Sequence, residues 1–173
     1  EDSNFLRNNV TIGGGLYLDN SDFEIVDANI AGNTAFKGAG LYAVECEVGT
    51  MTASTVTDNQ ALRPGGEGGG LYIGSTPMVI TDTLIQQNHA QYSGGGVYAS
   101  GTGSAPVKLA NCLITNNTGI RDGAGVASFW HNEMLISNCT IADNELLGAP
   151  AFGGGLFTSF GSNVQVINSI IWG

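Results

Sequence analysis

The residues able to do chemistry in this chain are few and scattered. Glycoside hydrolysis needs two carboxylates roughly 5–9.5 Å apart across the scissile bond, and Asp27 and Asp82 are the pair whose placement suggests it. β-Elimination from an acidic polysaccharide would want a carboxylate cluster for calcium with an arginine or lysine beside it, but the acidic residues are dispersed. His89 and His131 fall in different segments, and no serine or cysteine has a base placed near it, so a nucleophilic triad has no support. Cys46, Cys112 and Cys139 show neither metal-ligand spacing nor a disulfide framework. No cofactor and no metal is expected. What recurs instead is aromatic: Tyr17, Tyr42, Tyr72, Tyr98 and Phe157 each stand at the same step after a glycine cluster.

Those clusters set the organisation of the chain. Gly13, Gly38, Gly68, Gly94, Gly123 and Gly153 each open a Gly-Gly/Ala-Gly triplet followed by Leu or Val, at separations of 25, 30, 26, 29 and 30 residues. Periods of this length belong to stacked solenoid units. A second anchor precedes each cluster, an apolar residue followed three positions later by asparagine: Asn9, Asn33, Asn59, Asn88, Asn117 and Asn144. Between the anchors apolar residues alternate, as in Phe23 and Ile25, Met78 and Ile80, or Met134 and Ile136, which is the two-residue period of a strand.

Each repeat therefore reads as three short strands. Such a unit cannot bury its own apolar face, so copies must stack, every strand pairing in parallel with its counterpart one turn away. The expected fold is all-β, a parallel β-helix of about six turns, with residues 1–173 forming one domain. Asparagine suits the turns because its short amide tolerates left-handed backbone, and stacked copies would bond amide to amide along the axis. A looser polar column, Ser3, Asp27, Ala53, Asp82, Asn111, Asn138 and Asn168, falls before the asparagine-ending strand. In that company Asp27 and Asp82 read as turn residues rather than a catalytic pair. Cys112 and Cys139 share an inward slot in neighbouring repeats, while Cys46 sits apart in a loop.

Composition narrows the function classes. With 42% apolar and 12% charged residues the chain can bury one long core. A formal charge of −10, with five Lys and Arg in all, argues against nucleic acid as a partner. No apolar run approaches the ~20 residues needed to cross a bilayer as a helix. The sequence starts and stops inside a repeat, so continuation as a longer secreted chain is expected, with self-association through open solenoid ends as the alternative.

The paired anchors resemble the repeat pair of the polymorphic outer membrane proteins and related bacterial right-handed parallel β-helix surface proteins, along essentially the whole chain. The phenylalanine of that family is replaced here by Leu6, Ile30, Val56, Ile85, Ile114 or Ile141. The resemblance implies right-handed coiling and a secreted or surface-displayed, adhesive or structural role.

Two surfaces are candidates for binding. The segments between asparagine and glycine cluster, residues 10–12, 34–37, 60–67, 89–93, 118–122 and 145–152, emerge at one corner and carry Lys37, Arg63, His89, Tyr92 and Arg121. The aromatic column of Tyr17, Tyr42, Tyr72, Tyr98 and Phe157 is the second. Its neighbours Leu16, Leu41, Leu71, Val97, Val126 and Leu156 are invariantly aliphatic and belong inside, which turns the tyrosines outward. Glycans or cell-surface proteins are the expected partners. An extracellular, non-catalytic rod is the primary expectation; a polysaccharide-processing fragment and a filament subunit are the alternatives.

Overall fold

The computed structural model describes residues 3–101, 105–130 and 132–173, so His131 lies outside it. All regular elements among the described residues are strands, and each pairs in parallel with its counterpart one coil away. Leu71–Gly74, for example, lies between Leu41–Val44 and Val97–Ser100. Four sheets result, of seven, six, six and five strands. The seven-stranded sheet leads into the asparagines, one six-stranded sheet starts at the glycine clusters, and the other carries the alternating pairs. The fourth sheet is built of two-residue strands such as Thr34–Ala35 and His89–Ala90, directly after the asparagines. Each coil thus has a fourth short side where three strands were expected. That side replaces the start of the expected loops, and its inward residue is Ala35, Ala61, Ala90, Gly119 or Leu146.

The interior is a set of stacked columns. Ile30, Val56, Ile85, Ile114 and Ile141 lie in one, fully buried; Leu41, Leu71, Val97 and Val126 form another, inside as the alternation predicts. Burying each such side chain is worth about 1.5–3 kcal/mol. Volume is balanced between coils: a Cβ on Gly49 would lie 2.3 Å from the Phe23 ring, so the glycine is what admits the ring.

Left-handed backbone marks the corners. Asp27, Ala53, Asp82, Asn111, Asn138 and Asn168 all have φ between 47° and 55°, which explains why this column is polar in all but one rung. Ser3 does not belong to it; it pairs with Ala28, one position further on. After most of these corners, the next N–H is received by the side chain of its counterpart one coil on. The Ala28 N–H donates to Ser54 Oγ at 3.1 Å, the Cys112 N–H to Cys139 Sγ at 3.4 Å and the Cys139 N–H to Ser169 Oγ at 3.0 Å. Cys46 plays the same part at another corner, its N–H donating to Thr76 Oγ1 at 3.2 Å, rather than sitting in a loop. The thiols occupy serine and threonine slots, each donating to a carbonyl two residues back. They are free and buried, and the Cys139 sulfur together with burial holds the Cys112 thiol well above the ordinary thiol range. Because all three are almost fully buried, a thiol reagent is expected to label none of them in native protein and all three in denaturant. Cys112→Ser, matching Ser54 and Ser169, should cost less than about 1.5 kcal/mol by denaturant unfolding.

The asparagine ladder runs inside the wall. Asn33, Asn59, Asn88 and Asn117 are completely buried. Asn88 Oδ1 accepts from the Asn59 N–H and Nδ2, both at 3.0 Å, while Asn88 Nδ2 donates to Asn117 Oδ1 and to the Val56 carbonyl, again at 3.0 Å. Every amide hydrogen and lone pair thereby finds a partner, which a buried amide requires. The left-handed residue is the one before the asparagine, such as Asp58 or Gln87, not the asparagine itself. In the first coil the ladder residue is Asn8, which donates to Asn33 Oδ1 at 2.9 Å; Asn9 instead bridges to Thr34. The apolar slot of that coil is accordingly Phe5, paired with Ile30, and not Leu6. The tandem Asn8-Asn9 hid a one-residue shift.

Candidate functional site

The tyrosines stack as a column on the outer face of the glycine sheet. Ring centroids are 5.3 Å apart for Tyr17 and Tyr42, 4.8 Å for Tyr42 and Tyr72, and 5.0 Å for Tyr72 and Tyr98, with interplanar angles of 18° or less. Ala127 stands between Tyr98 and Phe157 in this slot and has no ring, and Phe129 fills the gap. Two residues further along the strand it points to the same face, and its ring lies 5.3 Å from Tyr98 and 5.2 Å from Phe157. Exposure falls along the column, from 52% at Tyr17 to 5% at Tyr98. Tyr17 therefore offers an open face, and Tyr98 does not.

The cationic edge is not a set of free charges. Lys37 Nζ lies 2.7 Å from Glu67 Oε2 and 5.2 Å from the centre of the Tyr72 ring. Arg121 donates to Tyr92 Oη at 2.8 Å and rests over that ring. Arg63 stands apart at an exposed turn, its carbonyl accepting from the Gly66 N–H. His89 is half-buried with Nδ1 2.9 Å from Thr118 Oγ1, and burial lowers its pKa from the ordinary 6.5. A depressed histidine contributes stability that is present above its unfolded pKa and lost as pH falls through the folded one. Stability should therefore decline as pH drops below about 6.5. His89→Gln, which copies Gln60 in the same column, should flatten that decline in melts run from pH 7.5 to 5.

Sequence reasoning missed the feature that unites these parts. The residue just before each glycine cluster also forms a column, with bridges from Ile12 to Lys37, Lys37 to Glu67, Ser93 to Asp122 and Asp122 to Phe152. Where it passes the last aromatics, a cleft of about 390 Å³ opens between Glu67, Tyr92, Arg121 and Asp122 on one side and Phe129, Phe157, Trp130 and Phe160 on the other. Trp130 and Phe160 stack in parallel, 4.2 Å apart and 8° from coplanar, yet stay about half exposed. Asp122 is 7% exposed; burial pushes its pKa up, against the opposing pull of Arg121 and the Ser93 hydroxyl. The spacing of the residue before each cluster was the signal available for Glu67 and Asp122.

Asp27 and Asp82 lie elsewhere, exposed at their corners, where Asp82 Oδ1 accepts from Asn111 Nδ2 at 3.2 Å. Among the described residues no group of three or more His, Cys, Asp and Glu is placed to hold a metal ion.

Residues 80–173 fit the family model of the right-handed β-helix region. No curated protein and no solved structure matches the chain. The matched segment is more than half of the sequence and covers the coils from Ile80 onward, so the chain belongs to the right-handed β-helix family.

Proposed function

We propose that this chain is a rod-forming segment of a secreted or surface-displayed protein, serving as a structural and adhesive element. The observation that carries this reading is the stacked aromatic column, which lies on the outer face of one sheet and runs into a cleft. Its rings are open at the two ends, Tyr17 at one and Trp130 and Phe160 beside the cleft at the other, and exposed apolar patches commonly mark binding surfaces. The likeness to polymorphic outer membrane protein repeats supports the same reading, and the corrected register adds to it. In Phe5-Leu6-Arg7-Asn8 the first coil carries phenylalanine in the slot where that family has it. The test is adhesion: beads coated with the chain are expected to be retained on immobilised glycans or on cell surfaces. Tyr17→Ser with Tyr42→Ser should reduce retention, and beads held by neither surface would sink the proposal.

One observation favours polysaccharide hydrolysis as a second reading. Glu67 and Asp122 share a column two coils apart, ~9.6 Å at the usual strand spacing, near the upper limit for an inverting pair. In that reading one of the two carboxyls, when protonated, gives its proton to the leaving glycosidic oxygen as the C–O bond breaks, while the other, ionised, takes one from the water that attacks the anomeric carbon. Release of reducing ends that Asp122→Asn abolishes would establish this chemistry in place of simple adhesion.

A further inference from the structure

We infer that the cleft beside Trp130 is a binding site for a neutral saccharide, an assignment that deepens the adhesive reading and rests on it. Three features point to that ligand class. The first is the stacked pair of Trp130 and Phe160, a flat apolar platform 49% and 54% exposed, of the kind that the C–H face of a pyranose ring covers. The second is the rim, where the Arg121 guanidinium and the Asp122 carboxylate stand 3.9 Å apart. Planar donors and acceptors side by side suit vicinal hydroxyls, each of which both donates and accepts. The third is charge balance. Glu67 is held by Lys37 at 2.7 Å and Asp122 faces Arg121, so two anions meet two cations and no net charge is left for an ionic ligand. A uronic acid would bring its carboxylate against Glu67 and Asp122 in a protein already at −10. A volume of about 390 Å³ lies within the range of small-ligand sites.

Trp130 is itself a reporter. The chain has two tryptophans, and Trp172→Phe leaves Trp130 as the sole tryptophan, excited selectively at the red edge where tyrosine does not absorb. That protein is titrated with neutral gluco-, xylo- and manno-oligosaccharides and with oligogalacturonate, reading Trp130 fluorescence and, from the sugar side, saturation-transfer NMR. A saturable response to at least one neutral sugar is expected. Affinity should fall at least tenfold in Phe160→Ala and in Arg121→Gln, both altered at exposed side chains and checked for folding by circular dichroism. Three results would overturn the assignment: no response to any neutral sugar by either readout, unchanged affinity in both variants, or tighter binding of oligogalacturonate. Bead adhesion surviving with a silent cleft would remove the saccharide site and leave the adhesive reading. Sugar binding without bead adhesion would do the reverse.

Discussion

Asn88→Ala is expected to cost on the order of 4 kcal/mol, among the largest effects available to a single substitution in this chain. The Asn59 N–H and one Asn59 amide hydrogen lose their acceptor, and the Val56 carbonyl and Asn117 Oδ1 lose a donor. All of this happens at 0% exposure, where water cannot step in. Each orphaned buried group costs about 1–3 kcal/mol, and partial relaxation keeps the total below the sum. Asn88→Asp is the sharper companion. A carboxylate still accepts from Asn59, but it cannot donate to Asn117 or Val56, and it places a charge inside the wall. Denaturant unfolding followed by circular dichroism measures both. The first coil supplies the control: Asn9→Ala should change stability by less than about 0.5 kcal/mol, as expected of an exposed position outside the ladder. A loss below 1 kcal/mol for Asn88→Ala would contradict the ladder's role.

Gly96→Ala is the second large effect, expected at about 3 kcal/mol. It is the third glycine of its cluster, and the added Cβ would lie 2.6 Å from the Gly125 carbonyl oxygen and 3.1 Å from the amide of Asn117. A backbone oxygen cannot rotate aside, so the methyl must push two coils apart and disturb the ladder with them. Overpacking of this kind typically costs 1–3 kcal/mol, and the upper end applies because the obstacle is main chain. Gly40, Gly70 and Gly125 meet the next coil at 2.5 or 2.6 Å in the same way, which accounts for a slot that is glycine in all six copies. In a protein of this length the melting temperature should fall by roughly 10 °C. A fall of a degree or two would mean that the coils are more loosely stacked than these distances state.

The repeat, the parallel stacking and the buried side of the glycine strand were legible because each is written many times over. Six glycine triplets and six asparagines fix a period, and invariant Leu or Val beside variable Tyr, Ala or Phe fixes a face. The fourth side was not legible, for two reasons. Two residues are too few to show alternation, and an inward Ala35, Ala61 or Ala90 does not look like core. Asn9 reads as the ladder residue in place of Asn8 because the two stand in tandem, and the Asn8 bonds to Asn33 together with the pairing of Phe5 with Ile30 decide between them. Phe129 escaped notice because it joins the aromatic column from two positions downstream, in the slot opposite Ser100. The cleft escaped for a related reason: Glu67, Tyr92, Asp122 and Phe160 come from four different coils, and only the stacked register brings them to one place.

Every polar contact of the ladders that crosses between coils joins a coil to its immediate neighbour, so the cross-section carries no information about total length. Recombination between two copies in the gene could remove or add one whole repeat and leave each surviving asparagine with an identical neighbour. Such a change would move the cleft relative to whatever supports the rod in increments of about 4.8 Å. Reach is thus a property that inheritance can adjust without redesigning the protein.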